Sequence, residues 1–236
     1  ILFVGDSVTC GNFVRAEDAW PFQVCEQLQA VCLNAGVCGY DTRQEGHYLR
    51  YEGLELHPDA VVLGFCMNDV SAQYNETSIQ HPESRIGLVR LMSRAVARAR
   101  WGPDLRAAGE RIQQFGLAEL CRDPETPRVT SAWRNVRDEL AGIWETCRLN
   151  RLPMLVVGFP FRDQANARPN QRLSEICYGL GIKCVDLWGI LPNSEFMDAT
   201  HPTPEGHRLA AEAVAVDFGK AGSSEKNTVS HAAAAP

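Results

Sequence analysis

The chain carries no excess of positive charge: 23 Lys and Arg stand against 29 Asp and Glu, for a formal net charge of −6. Neutralising phosphates requires a clustered basic surface, so the balance argues against a general nucleic-acid binder. No apolar run approaches the roughly 20 residues that a membrane-spanning helix needs. Neither G-x-G-x-x-G nor a P-loop is present, which argues against a nucleotide-binding module. None of the nine cysteines forms a C-x-x-C pair, so the strongest zinc and redox signatures are missing. Cys25, Cys32, Cys66, Cys147 and Cys184 fall inside apolar patterns and are predicted to be buried, reduced thiols that act as small hydrophobes. Reduced thiols point to a reducing compartment, hence a cytoplasmic setting. The first residue already reads as strand and is not Met, so the natural N-terminus is expected upstream and a missing signal peptide carries little weight. Asn75-Glu76-Thr77 is a glycosylation sequon of a kind that chance supplies too often to assign a location.

What is present is an ordinary globular composition, 45% apolar and 22% charged over 236 residues, enough to bury a sizeable core. Short apolar runs alternate with helical patterns. Strands are predicted at 1–4, 32–37, 59–66, 152–159 and 183–188, with helices at 17–31, 132–150 and after Thr203. Ser131 is the expected N-cap of the second helix, and Thr203-Pro204-Glu205 opens the last. This alternation predicts a parallel sheet covered on both faces. Roughly 60 residues separate the third strand from the helix at 132, far more than a usual connection. Within them Arg90, Arg94 and Arg98 line one helix face, read as a solvated face or as a lid that meets an anionic group.

Ligands of open parallel sheets bind beyond the carboxyl ends of the strands. Ser7 ends the first strand, Gly39 follows the second, and Asn68-Asp69 ends the third, so all belong to one edge. Asp198 and His201, in "MDATHPTPEGH", lie in a loop that can return there. A serine hydroxyl needs a base, usually histidine, and the histidine needs a carboxylate to fix its tautomer. An acyl-transfer site also needs donors for the oxyanion, for which the N–H groups of Ser7 and Gly39 and the amide of Asn68 are available.

"GDS", "NAGVCGYDT", "GFCMND" and "DATHP", in that order, resemble the SGNH (GDSL) hydrolase family over about residues 1–219. The resemblance implies an α/β fold, a flavodoxin-like three-layer α/β/α sandwich on a five-stranded parallel sheet. It covers one domain over 1–219, within which the long connection reads as a helical insertion at about 71–131, and the small, polar composition beyond it predicts a disordered tail at 220–236. It further implies ester hydrolysis with Ser7 as nucleophile, His201 as base and Asp198 as its orienting acid. Ser7, Gly39 and Asn68 would form the oxyanion hole, and no cofactor or metal is called for. The substrate would be a small-molecule, carbohydrate or lipid ester. The third motif departs from the family's G-x-N-D, with Cys66 where glycine is expected. Thr9 replaces the second glycine of a G-x-S-x-G elbow, which separates the chain from α/β-hydrolases.

Blander readings exist for each residue. Ser7 can be a helix cap, Asn68-Asp69 a turn and Gly39 a turn glycine. His207 reads as structural, His47, His57 and His81 as surface residues, and Cys10 as a packed thiol. Arg162-Asp163 sits on the functional edge. An O-acyltransferase shares the acyl-enzyme step, and a non-catalytic anion-binding module would require the Asp-x-x-His pair to be coincidence.

Overall fold

The computed structural model describes residues 1–70, 125–164 and 166–229, with side chains to residue 218. Five strands, β1 (Leu2–Gly5), β2 (Leu33–Gly36), β3 (Val61–Cys66), β4 (Met154–Phe159) and β5 (Lys183–Asp186), pair in the order β2-β1-β3-β4-β5. Every pair is parallel. The predicted strands are therefore all present, β1 shifted by one residue and the others shortened at one or both ends. Helices α1 (Ser7–Cys10), α2 (Trp20–Leu28), α3 (Thr42–Tyr51), α4 (Pro127–Leu149), α5 (Arg168–Leu180) and α6 (Pro204–Val229) connect or follow them.

The chain divides into two compact units, one of residues 1–67 with 137–236 and one of residues 68–136. In the first unit, β1, β3 and β4 are buried along their whole length, as their unbroken apolar runs require. Alternate residues of β1 face opposite sides. Phe3 meets Trp20 of α2 edge-on at 5.2 Å, and Trp20 also lies 5.5 Å from Phe159, so α2 covers one face. α6 packs against α2 there. On the other face Leu2 approaches Gly53 just after α3, Gly46 of α3 abuts Ile143 of α4, and Gly158 abuts Leu173 of α5. These are the helical layers that right-handed crossovers produce from this strand order.

Of the second unit, residues 68–70 and 125–136 are described, the latter entering α4. Helix boundaries differ from expectation: α2 covers Trp20–Leu28 of the predicted 17–31, and two other boundaries move further. α4 begins at Pro127, not after Ser131, because Thr126 Oγ1 caps it by accepting from Val129 N at 3.3 Å and Pro127 suits the first turn. α6 runs on to Val229, through residues expected in a disordered tail, since extending an existing helix costs far less than nucleating one. Most of the expected insertion, with Arg90, Arg94, Arg98, His81 and the Asn75 sequon, lies outside the described residues.

Candidate functional site

The carboxyl ends of β1, β2 and β3 carry a row of glycines in register: Gly36, Gly5 and Gly64 are direct neighbours across the three strands. α1 is seated on this row. A Cβ on Gly5 or on Gly64 would lie 2.1 Å from Thr9 Oγ1, and one on Gly36 would lie 2.2 Å from the Cys10 backbone nitrogen. Three missing side chains thus let the short helix rest directly on the sheet, with Ser7 at its first position. Asp6 caps that turn, its Oδ1 accepting from Val8 N at 2.8 Å. Gly11, left-handed at φ 79°, closes it, and Asn34 of β2 donates to Thr9 O at 3.0 Å. Glu45 is buried nearby, and burial followed by the charges of Asp6 and Asp41 holds its carboxyl well above the usual range.

The loop before α6 is fixed from both sides. An isolated bridge joins Phe196 to Pro202, Met197 N donates to His201 O at 2.8 Å, and Arg162 N donates to Ala199 O at 3.0 Å. Thr203 Oγ1 accepts from Gly206 N at 3.1 Å, so the predicted cap is in place. Within the loop Asp198 Oδ1 accepts from Thr200 N and His201 N, each at 2.8 Å. Asp198 Oδ2 lies 2.7 Å from His201 Nδ1, and His201 Nε2 lies 2.9 Å from Ser7 Oγ. A single tautomer, with the proton on Nδ1, serves both contacts and leaves the Nε2 lone pair for the hydroxyl. Thr200 Oγ1, 3.2 Å from Nδ1, is a further neighbour of the ring. Burial pushes the Asp198 carboxyl up, but hydrogen bonds from Thr200 and His201 outweigh it and hold the group below its ordinary value.

Residues 194 positions apart are therefore in contact. Gly39 is exposed and left-handed at φ 83°, with no atom within 4 Å of a Cβ built on it, so its backbone is open to solvent. Asn68 stands two residues beyond β3 and begins the second compact unit. His207 is fully buried and its Nδ1 accepts from Trp20 N at 3.3 Å, a structural role as expected. His47 stacks on Tyr51 at the surface, and His57 is exposed. Cys10 departs from its reading as a packed thiol: it is exposed at the end of α1. Cys32 and Cys184 are half-buried rather than buried, since each lies at or beside an edge strand.

Sequence reasoning missed two features. The glycine row was legible as a glycine at or near the end of three strands, but its meaning depends on cross-strand register. Phe13, exposed and left-handed at φ 72°, sets its ring edge-on to His201 at 5.0 Å; no local pattern marked it. Among the described residues, no group of three or more His, Cys, Asp or Glu side chains is placed to hold a metal ion, and no helix is long and apolar enough to cross a membrane.

The fold and this geometry define the class: a parallel α/β protein with serine, histidine and aspartate in line at the strand ends. Residues 3–209 match the model of the GDSL-like lipase/acylhydrolase family, and the chain belongs to that family of hydrolases. Among solved structures it is similar to a lipolytic protein of the G-D-S-L family from Desulfitobacterium hafniense (14% identity, 91% of this chain and 96% of that one, TM-score 0.58). It is also similar to a catalytic mutant of an acetylxylan esterase from Geobacillus stearothermophilus (17% identity, 90% of each chain, TM-score 0.54). No curated protein sequence matches the chain. At such identities the likeness shows the five-stranded fold alone.

Proposed function

We propose that the protein hydrolyses a carboxylic ester, acyl or acetyl, through an acyl-enzyme on Ser7. The reading rests on one observation, the unbroken line from Ser7 Oγ through His201 to Asp198 at 2.9 and 2.7 Å. His201 Nε2 takes the hydroxyl proton as Oγ attacks the ester carbonyl, then delivers it to the leaving alcohol. Asp198 stabilises the imidazolium formed in between. The N–H groups of Ser7 and Gly39 are the proposed oxyanion donors, and Asn68 is the third in the family pattern. Water, activated by the same histidine, then releases the acid. A fluorophosphonate probe should label Ser7 and no other residue, and Ser7→Ala should abolish both labelling and turnover of a 4-nitrophenyl ester while melting as the parent does. Turnover retained in a folded Ser7→Ala protein would sink the assignment. A panel of esters of varied acyl length, including acetylated glycans, then ranks the substrates.

A further inference from the structure

Apart from the serine, histidine and aspartate, the described residues place three pairs of cysteine thiols close enough to perturb one another: Cys10 with Cys38, Cys25 with Cys32, and Cys177 with Cys184. The proposed ester chemistry uses none of them. The first pair is exposed and flanks the candidate site. Cys10 ends α1, the helix that begins with Ser7, and Cys38 precedes Gly39 in the loop after β2. The two backbones already abut there. A Cβ on Gly36 would come within 2.8 Å of Cys10 Cα, and Val37 N donates to Gly5 O at 2.9 Å.

We propose that Cys10 and Cys38 are a disulfide-forming pair that ties the Ser7 turn to the Gly39 loop and slows ester turnover reversibly. The effect on turnover rests on the roles proposed above for Ser7 and Gly39. A low-molecular-weight disulfide such as glutathione disulfide is the oxidant. One protein thiolate attacks it, forming a mixed disulfide and releasing one glutathione; the second protein thiolate then displaces the other. Two protein thiols lose two electrons and two protons, and one glutathione disulfide becomes two glutathione thiols. Partial burial and then the neighbouring Cys38 raise the Cys10 thiol, so the exchange runs faster at mildly alkaline pH. Bond formation draws the sulfurs closer than contact and moves Cys38, with the adjacent Gly39 N–H, away from the arrangement seen with free thiols. Misplacement by about 1 Å is worth up to 100-fold in rate, so kcat should fall tenfold or more with a smaller change in KM.

The test compares the full chain treated with glutathione disulfide or with dithiothreitol, after blocking free thiols with N-ethylmaleimide and digestion without reductant. Mass spectrometry should find peptides joined through Cys10 and Cys38 in the oxidised sample, separated by reduction and absent from Cys38→Ser. Finding both cysteines alkylated, or each carrying its own glutathione, overturns the pairing. A cross-link that forms while kcat stays unchanged overturns the effect on turnover. Inactivity in both redox states, with the cross-link present, counts against the esterase reading and leaves the disulfide standing.

A different observation carries a second pairing. The carbonyls of Cys25, Cys147 and Cys177 each accept from the N–H five residues on, Ala30, Leu152 and Ile182, at 2.9, 2.9 and 2.8 Å. A left-handed residue precedes that N–H each time: Gln29, Arg151 and Gly181. The chain then enters the next strand, so that position seven after each cysteine is Cys32, Met154 and Cys184. One helix-cap-strand geometry thus recurs three times, and the two copies with a second cysteine bring their thiols together. We infer that Cys25–Cys32 and Cys177–Cys184 form disulfides when the reduced, unfolded chain refolds in a glutathione redox buffer, by the same balanced exchange. Cys147, whose counterpart is Met154, is the internal control and should remain alkylable. Either pair recovered wholly as alkylated thiols from the refolded, oxidised protein overturns that pair.

Discussion

Adding one methyl group at Gly64 tests whether the glycine row seats the nucleophile turn. A Cβ there would stand 2.1 Å from Thr9 Oγ1, against the 3.4 Å at which ordinary contact begins, so about 1.3 Å of overlap must be relieved. Thr9 is fully buried, so the strain passes to the helix itself. Overpacking of this kind costs about 1–3 kcal/mol. For a chain of 236 residues that lowers the melting midpoint by roughly 2–12 °C. Ser7 lies two residues before Thr9 on the same turn, so an ångström of displacement should lower kcat/KM about 100-fold. The relief is specific. Thr9→Ala removes the clashing oxygen, leaving Trp20 Cζ2 at 3.0 Å as the tightest neighbour. Among the described residues the Thr9 hydroxyl has no hydrogen-bond partner, so Thr9→Ala alone should cost only about 1 kcal/mol for the lost methyl. Gly64→Ala with Thr9→Ala should therefore be no less stable than Gly64→Ala alone and should recover most of the ester turnover. Chemical denaturation of the four proteins gives the coupling energy, and 4-nitrophenyl acetate hydrolysis gives the activity. Costs that add within about 0.5 kcal/mol would refute the seating argument.

Asp198→Asn should melt like the parent, because an amide oxygen can still accept from Thr200 N and His201 N, yet lose about 10²–10³ in kcat/KM; retention above a tenth would remove the carboxylate from the mechanism. The lower figure allows for screening, since the Asp198 side chain is 48% exposed. Burial, followed by the charge of His201, lowers the His207 imidazole to about 4 from 6.5. The unfolded chain therefore binds the extra proton first, and stability that is full above pH 6.5 is lost as pH falls towards 4. That gap corresponds to roughly 3 kcal/mol, so His207→Leu should be less stable at pH 7 but flatter across this window in urea titrations. A slope unchanged by the substitution would assign the acid sensitivity elsewhere. Ser7→Ala completes the set, read by probe labelling and ester turnover as above.

The five strands were legible because each is a short apolar run, and a buried parallel strand needs little else. The Asp-x-x-His pair was legible because its contact spans one turn of chain. Thr126 was passed over as a cap because Ser131 met the same local rule; only the tertiary setting of the helix chose between them. The Cys25–Cys32 and Cys177–Cys184 pairs were not legible because C-x₆-C carries no short-range signature and their approach depends on a left-handed cap between helix and strand, while Cys10 and Cys38 stand on different segments.

By itself the amino-acid sequence determined the order of the five strands and which residues stand at their ends, since these follow from periodicity and from chemistry within a few residues. Tertiary structure alone decided that Gly36, Gly5 and Gly64 fall in register under α1, and that Ser7 reaches His201 across 194 positions. Register and long-range contact are set by packing between segments that carry no local mark of one another.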